Sequence, residues 1–551
     1  MIDIIVQNTN TTHSVEFGAK LYQVVYELNI KLQEPIVAAI VNNELRELSY
    51  QLTKPVTVRF ITIEHPLAKR MYQRSAIFVV DKAIRDLFPK AVLRVEHSLP
   101  SGYYCEVDNL GFEINARIAK QIDNQISKIV SEDKKFVRKT ILTTEAIEIF
   151  KKRGHHHKVK MLETRKEIWT SVYSLDNEVN YFNGYLVPST GLLPNIDFEF
   201  YGNGFLMKAK GLTRDMGFGK YDGSSKLYDI FTQYKLWLRV LGLSYVGELN
   251  ELIVNNKAGE IIKVAEALQE KNIANIADMI HAKESVKMVL ISGPSSSGKT
   301  TTSKRLGVQL QVLGYDPVVI AMDNYFVNRE KTPLDENGEY DFESIEALDV
   351  KFFSKQMMDL MNGKEIDMPT YNFHKGCREF LGNKLKMKAN SIIVTEGIHG
   401  MNPALTVSIP DELKFKIYAS ALTPLSIDPE NPVLSTDNRF LRRIVRDNAT
   451  RGVSAQDTIL RWESVKRGEN KNIFPFQGNA DVIFNSALIY EINALKYKAE
   501  QLLRDVPQNS EAYAEAQMLL KFLSYFNPIK TKEIPPTSII REFLGGSSFE
   551  Y

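Results

Sequence analysis

The sequence predicts an α/β chain whose second half is a parallel sheet flanked by helices, preceded by a small β-rich domain and a larger α+β unit. Three observations carry this expectation. From Val286 onward, short apolar runs such as MVLI and PVVIAM alternate with helical stretches, the pattern of strand–loop–helix repeats in a parallel sheet. The first 64 residues instead read as strand, strand, helix and further strands. The whole chain of 551 residues is 44% hydrophobic and 25% charged, a composition that supports several cores.

Within residues 1–64, IDIIVQN and THSVEFG make a hairpin. KLYQVVYELNI follows with helical spacing, placing Leu21, Val24, Val25 and Leu28 on one face. IVAAIVNNELREL then turns at Asn42-Asn43, and VTVRFITI is the last strand. Residues 65–225 form a second unit of mixed strands and helices. Residues 226–285 are helix-rich and read as a connector between halves. Residues 286–486 carry the parallel-sheet pattern. Residues 487–551 hold two helices and the tail EIPPTSIIREFLGGSSFEY, which points to an interdomain or subunit contact, including a homo-oligomer.

Lys and Arg exceed Asp and Glu by only 69 to 67, a net charge of +2. That balance argues against a mainly nucleic-acid-binding or membrane-surface protein. Two cysteines far apart, Cys105 and Cys377, exclude a disulfide framework and a cysteine-rich zinc module and suit a reducing cytosol. The start, MIDIIVQNTNTTHS, lacks the features of a signal peptide, and no window approaches the ~20 apolar residues of a membrane helix. A cytoplasmic protein with no membrane partner is expected. The stretch GHHHK at 154–158 is not expected to bind metal, because adjacent side chains diverge on most backbones. Trp462 is expected to serve packing.

The clearest motif is Gly293-Pro-Ser-Ser-Ser-Gly298-Lys299-Thr300, a full G-x-x-x-x-G-K-[ST] after the strand residues Val289, Leu290 and Ile291. Glycines let the loop wrap so that backbone N–H groups point at phosphate oxygens, and the following helix adds its positive end. Gly293, Ser295, Ser296, Ser297, Gly298, Lys299, Thr300 and Thr301 are therefore the expected cradle for ATP or GTP. Lys299 would neutralise the β- and γ-phosphates, and the Thr300 hydroxyl would face Mg2+.

Two acids end neighbouring strands. DPVVIAMD closes on Asp323, where a carboxylate can accept a proton from an attacking hydroxyl or merely cap a turn. NSIIVTEG closes on Glu396, the place for an acid that holds Mg2+, or for a solvated loop residue. NRFLRRIVRDNATRG brings Arg439, Arg442, Arg443, Arg446 and Arg451, with few acids nearby. Such a cluster suits polyphosphate clamping by a closing lid or, more plainly, a solvated basic face, with Asp447 able to pair with some of the charges. Ser454 and Asp457 stand at capping spacing for the next helix.

Taken in order, the blocks GPSSSGKTT, MDNYF, YDFESIEALD with PTYNFHKGCR, and VTEGIHG followed by NRFLRRIVRDNATRG make residues 286–486 resemble the uridine kinase family, in the group that includes phosphoribulokinases. The resemblance implies transfer of a phosphoryl group from ATP to the 5′-hydroxyl of a nucleoside. It implies Asp323 as catalytic base, with Lys299 beside it, and Glu396 and Thr300 at the magnesium positions. Tyr371 and Phe373 match residues that line the nucleoside pocket. Phe342 and Glu343 match a Phe-Asp pair that faces the substrate. Arg443, Arg446 and Arg451 match lid arginines: Arg443 on the substrate side, Arg446 and Arg451 on the nucleotide. The family's pocket motif Y-D-F-x-x-H-S-R reads here Tyr371-Asn-Phe-His374-Lys-Gly376-Cys-Arg378, with Gly376 in place of the base-reading histidine. Arg378 keeps its place in the motif. His374 either reads a base from a shifted loop or is an exposed loop residue. Val453 replaces a further lid arginine.

The order of elements in residues 1–64 resembles the β-grasp TGS domain of threonyl-tRNA synthetases. YQRSAIFVVDKAIRDLFP with SLPSGYYCEVD, and KKRGHHHKVKMLE, resemble the α+β accessory domain that follows it. In that family the domain carries zinc ligands spaced H-x-x-x-H and C-x-x-x-H. The matching positions here are Arg74, Phe78, Tyr185 and Ser189, none of them a good zinc ligand. Three functions follow as alternatives: a nucleoside kinase with a regulatory N-terminal half, an RNA-linked protein in which tRNA meets an ATP-driven switch, and a kinase of a non-nucleoside alcohol.

Overall fold

The computed structural model describes residues 1–551 except 100–101, 194–195, 210–225, 337, 339 and 373. Phe373 and the expected boundary near residue 225 therefore lie outside the described residues.

The N-terminal strands form a five-stranded sheet in the order Thr11–Val15, Ile2–Val6, Val56–Thr62, Ile36–Val41, Glu44–Glu47. The two central strands Ile2–Val6 and Val56–Thr62 run parallel, and their neighbours antiparallel. Helix Leu21–Glu27 buries Leu21 and Val24 against this sheet, with Val25 and Leu28 at the edge of the same core. Asn42 and Asn43 have φ of 48° and 62°. That left-handed pair is what a two-residue hairpin turn needs, and asparagine tolerates it better than other non-glycine residues.

Next comes the long helix Pro66–Leu87, opened by a His65 cap on the Leu67 amide and by proline at its first position. It packs with helix Ala116–Ser131 over a four-stranded antiparallel sheet, ordered Ile196–Tyr201, Gly204–Ala209, Gly102–Asp108, Val92–Leu99. A three-stranded sheet, Glu178–Asn180, Trp169–Leu175, Val137–Leu142, flanks it. In the histidine run, His156 opens helix His156–Thr164, His155 is T-stacked on Phe150, and His157 pairs with Glu248 at 3.1 Å, so His155 and His157 turn to different partners. Among the described residues no group of three His, Cys, Asp or Glu side chains is arranged to hold a metal ion.

The C-terminal half is built on a five-stranded, all-parallel sheet ordered Asp316–Ala321, Ser391–Glu396, Met288–Ser292, Lys414–Ser420, Val482–Asn485. Every residue of Met288–Ser292 is buried, as expected of a central strand covered on both faces. Among the described residues no helix is long and apolar enough to cross a membrane.

The helices Lys226–Val240, Val246–Val254 and Ala258–Ala282 do more than connect. One continuous core runs from Phe150 and Met161 through Ile262 and Ile276 to Val289, Ile417, Leu495 and Phe543. Ala514, on helix Tyr513–Leu523, belongs instead to the core of the second unit. The halves are also joined by charge. Lys158 is buried between Asp428 at 2.9 Å and Glu430 at 2.7 Å, and Arg70 bridges to Asp437 at 2.9 Å.

Candidate active site

Strand register brings the candidate residues together. Ile291 and Ala321 both pair with Glu396 across the sheet. Gly293, Asp323 and Glu396 therefore leave three adjacent strands at the same carboxyl edge, the place where ligands bind in open parallel sheets. The loop from Gly293 to Thr300 turns through three positive φ values, 155° at Gly293, 57° at Ser296 and 80° at Gly298. A Cβ on Gly293 would come within 2.0 Å of the Ala419 carbonyl oxygen, so glycine is required there on space as well as on dihedral angle. Helix Lys299–Val312 follows directly.

Thr300 Oγ1 donates to Glu396 Oε1 at 3.1 Å, and Lys299 Nζ donates to the Pro294 carbonyl at 3.1 Å. Burial pulls the Lys299 ammonium below its ordinary value, opposed by the charges of Glu396, Asp323 and Glu542. Burial raises the Asp323 carboxyl, and Lys299, Arg451 and Arg446 oppose that rise. Burial also raises Glu396, to about 7, with the nearby charges of Asp323 and Glu542 adding to it and Lys299 pulling the other way. One cation and two acids thus share a half-buried site, with a hydroxyl between them.

The arginine helix Ser435–Arg451 departs from the expected clamp. Arg439 and Arg442 are fully buried in ion pairs that the sequence did not reveal. Arg439 meets Glu469 through two bonds of 2.6 and 2.8 Å and donates to the Ser295 carbonyl at 3.0 Å. Glu469 in turn accepts from the Ser295 amide at 2.8 Å. Arg442 meets Glu491 at 2.6 Å and reaches the Ser296 carbonyl at 3.3 Å. These two arginines fix the backbone of the loop, and desolvating such charges costs too much for them to be free of partners. Arg443 donates to Ser295 Oγ at 2.8 Å and pairs with Asp447 at 3.2 Å. Arg446 also holds Asp447, at 2.8 Å, and Arg451 lies 3.5 Å from the same acid. Of the five, Arg446 and Arg451 are the ones whose charge acts on Asp323. Trp462 stacks on Phe440 at 4.7 Å, and Ser454 caps the Asp457 amide at 3.0 Å, both as the sequence indicates.

On the acceptor side, strands Ile366–Asn372 and Cys377–Leu385 form a hairpin. Tyr371 is buried, and its amide donates at 3.2 Å to Asn324 Oδ1, the residue after Asp323. Glu343 rests on Gly468 and is raised to about 7, by burial first and then by Glu469 and Asp341, against Arg443. Phe342 is exposed. His374 is exposed at the hairpin turn, its amide on Asn372 Oδ1 at 3.1 Å. Arg378 pairs with Asp349 at 3.0 Å and lies over Phe352, which ties the hairpin to helix Val350–Met361. Gly376 has φ of 70°, and a Cβ there would lie 2.8 Å from Arg329 Nε. Position 376 therefore favours glycine by its left-handed conformation, and a side chain there would have to move the flexible end of Arg329.

Residues 288–492 match the Phosphoribulokinase / Uridine kinase family. The uridine kinase of Staphylococcus aureus is 28% identical over 194 residues, covering 35% of this chain and 84% of that protein. In the N-terminal region, the threonine–tRNA ligase of Clostridium kluyveri is 28% identical over 178 residues, 32% of this chain. The chain spans only 28% of the length of that ligase. A solved structure described as a possible uridine kinase from Bacillus stearothermophilus aligns with 36% of this chain and 89% of its own, at 21% identity and a TM-score of 0.21. Residues 288–492 are thus similar to kinases of the P-loop type, and the N-terminal region is similar to part of the threonine–tRNA ligases.

Proposed function

We propose that this chain transfers the γ-phosphoryl group of ATP to the hydroxyl of a small acceptor, with a nucleoside 5′-hydroxyl as the first candidate. The observation that carries the reading is the convergence of Lys299, Thr300, Glu396 and Asp323 at one carboxyl edge. In the proposed reaction, the loop amides and Lys299 hold the β- and γ-phosphates. Asp323 accepts the proton of the attacking hydroxyl, whose oxygen forms the new bond to phosphorus as the bond to the β-phosphate oxygen breaks. Lys299, Arg451 and Arg446 oppose the rise that burial imposes on Asp323. Arg446 and Arg451 add positive charge beside the transferring group.

The donor set fits a magnesium ion. Thr300 Oγ1 and Glu396 Oε1 are hard oxygen donors 3.1 Å apart, and Mg2+ completes such sites with water and phosphate oxygens rather than with a protein cage. When bound, it would neutralise charge building on the phosphate oxygens. A deprotonated Glu396 is the form that binds it.

A second reading, a kinase of a non-nucleoside alcohol, is favoured by one observation. Gly376 stands where the family has its base-reading histidine, in a left-handed conformation, φ of 70°, that favours glycine over histidine. The test is transfer of labelled phosphate from ATP to uridine, cytidine, adenosine, guanosine, inosine and a set of sugar alcohols, each with and without tRNA. Labelling of one nucleoside supports the first reading. Labelling of sugar alcohols alone supports the second. ATP turnover that needs tRNA and labels no acceptor would replace both with an RNA-linked switch.

A further inference from the structure

The tail that follows the last long helix has a partner in this fold, and the partner is the nucleotide cradle. Thr301 lies in the first turn of helix Lys299–Val312, where amides have no acceptor within the helix. Its N–H and its Oγ1 both donate to Glu542 Oε2, at 3.4 and 2.7 Å. The same hydroxyl lies 2.9 Å from Tyr551 Oη, and Lys304 sits over the Tyr551 ring. A Cβ built on Gly298 would be 2.8 Å from Ile539 Cδ1, so the tail rests on the turning point of the loop. Arg442, which holds the Ser296 carbonyl, also faces the ring of Phe543 at 4.9 Å. Thr301 is left with no solvent exposure.

One short stretch therefore sets a carboxylate and a phenol on the first-turn donors of Thr301. A carboxylate there stands where an anionic phosphate oxygen would be received at a helix start. A phosphate oxygen can take the Thr301 donors only when Glu542 gives them up, and two anions on one amide repel. We propose that the side chains of Glu542 and Tyr551 are internal occupants of the nucleotide cradle, with Glu542 on the donors a phosphate would use, so that nucleotide binds only as these two swing aside while Ile539, Ile540 and Phe543 stay in the core. The proposal rests on the reading of the C-terminal half as an ATP-using kinase, and it deepens that reading into a form of self-restraint. A site closed for most of the time weakens apparent affinity by the fraction of time it is open.

The experiment measures ATP binding by the full chain, by calorimetry at fixed magnesium, for the wild type, Glu542→Gln and Tyr551→Phe. Glutamine keeps the shape and an acceptor oxygen but removes the charge. The expected result is ATP binding tighter by about tenfold in Glu542→Gln, and by about two- to threefold in Tyr551→Phe. Hydrogen exchange gives an independent readout. Amides 545–551 exchange faster in the wild type once ATP is added, and faster in Glu542→Gln without it. Equal or weaker ATP binding in Glu542→Gln, or slower exchange at 545–551 with ATP, overturns the proposal and makes the segment a fixed wall of the site. Failure of both wild type and Glu542→Gln to bind ATP overturns the kinase reading as well, whereas measurable equal affinities overturn only the displacement.

Discussion

At the carboxyl edge of the parallel sheet, Thr300 is bonded to Glu396, and the charges of Lys299, Asp323 and Glu396 act on one another. In the N-terminal half, the positions where the synthetase resemblance would place zinc ligands are occupied by packing residues. Phe78 is fully buried, with Phe136 and Phe182 centred 5.9 and 5.4 Å away. Arg74 donates to the Tyr185 carbonyl at 3.1 Å, and Ser189 is bridged to the Lys135 backbone. The loop before the arginine helix covers this centre, with the Asn183 amide on Asn431 Oδ1 at 3.2 Å and Arg70 on Asp437. The contrast teaches what two centres in one chain can be built from. One is made of charges that answer one another at a sheet edge, the other of stacked rings with hydrogen bonds to backbone around them.

The contrast can be broken most sharply at Asp323. Asp323→Asn should lower turnover about 10²- to 10⁴-fold while ATP binding and the thermal midpoint stay near those of the wild type. Turnover that survives would remove position 323 from the chemistry. The converse change is Phe78→Ala, which should lower unfolding free energy by about 3–5 kcal/mol in urea titrations yet leave the turnover of folded protein unchanged. A loss below about 1 kcal/mol would mean that the N-terminal centre is not a packed core.

The smallest effect is a pH dependence. Glu396 is raised from 4.5 to about 7 in the fold. The folded chain therefore holds a proton that the unfolded chain has released, and the stability linked to it falls as pH rises from about 4.5 through 7. Over the same window, affinity for magnesium–ATP should rise as the carboxylate becomes available. Titrations at pH 6 and 8 should differ in the wild type and converge in Glu396→Gln. Glu343, also raised to about 7, adds a stability change of the same sign that remains in that variant. An unchanged pH profile in Glu396→Gln would assign the effect elsewhere.

What could be read from the sequence is what depends on neighbours along the chain. The loop Gly293–Thr300 carries its own turn, glycines and helix start; Glu396 ends a strand whose apolar run is continuous in sequence, and Asp323 lies two residues past the end of strand Asp316–Ala321, in the short turn Met322–Tyr325 rather than on the strand itself. The Asn42-Asn43 turn is legible for the same reason. The partners of the arginines were not legible. Arg439 finds Glu469 30 residues on, and Arg442 finds Glu491 49 residues on. Thr301 meets Glu542 across 241 residues. No spacing rule links such pairs, because helix packing alone brings them together. The same holds for Gly376, whose glycine reads as a lost histidine in sequence and as a seat for Arg329 in three dimensions.

The shared core has a consequence for how the polypeptide is made. Ala514 completes the interior of the second unit, and Leu519, Phe522 and Phe543 complete the interior that runs through the connector and the parallel sheet. Those side chains leave the ribosome after nearly all the surfaces they cover. At a synthesis rate of ~5–20 residues per second, the early modules wait tens of seconds with apolar faces uncovered, and both settle only when the late helices arrive. A nascent chain stalled before residue 513 should therefore be a client for chaperones rather than a set of finished domains.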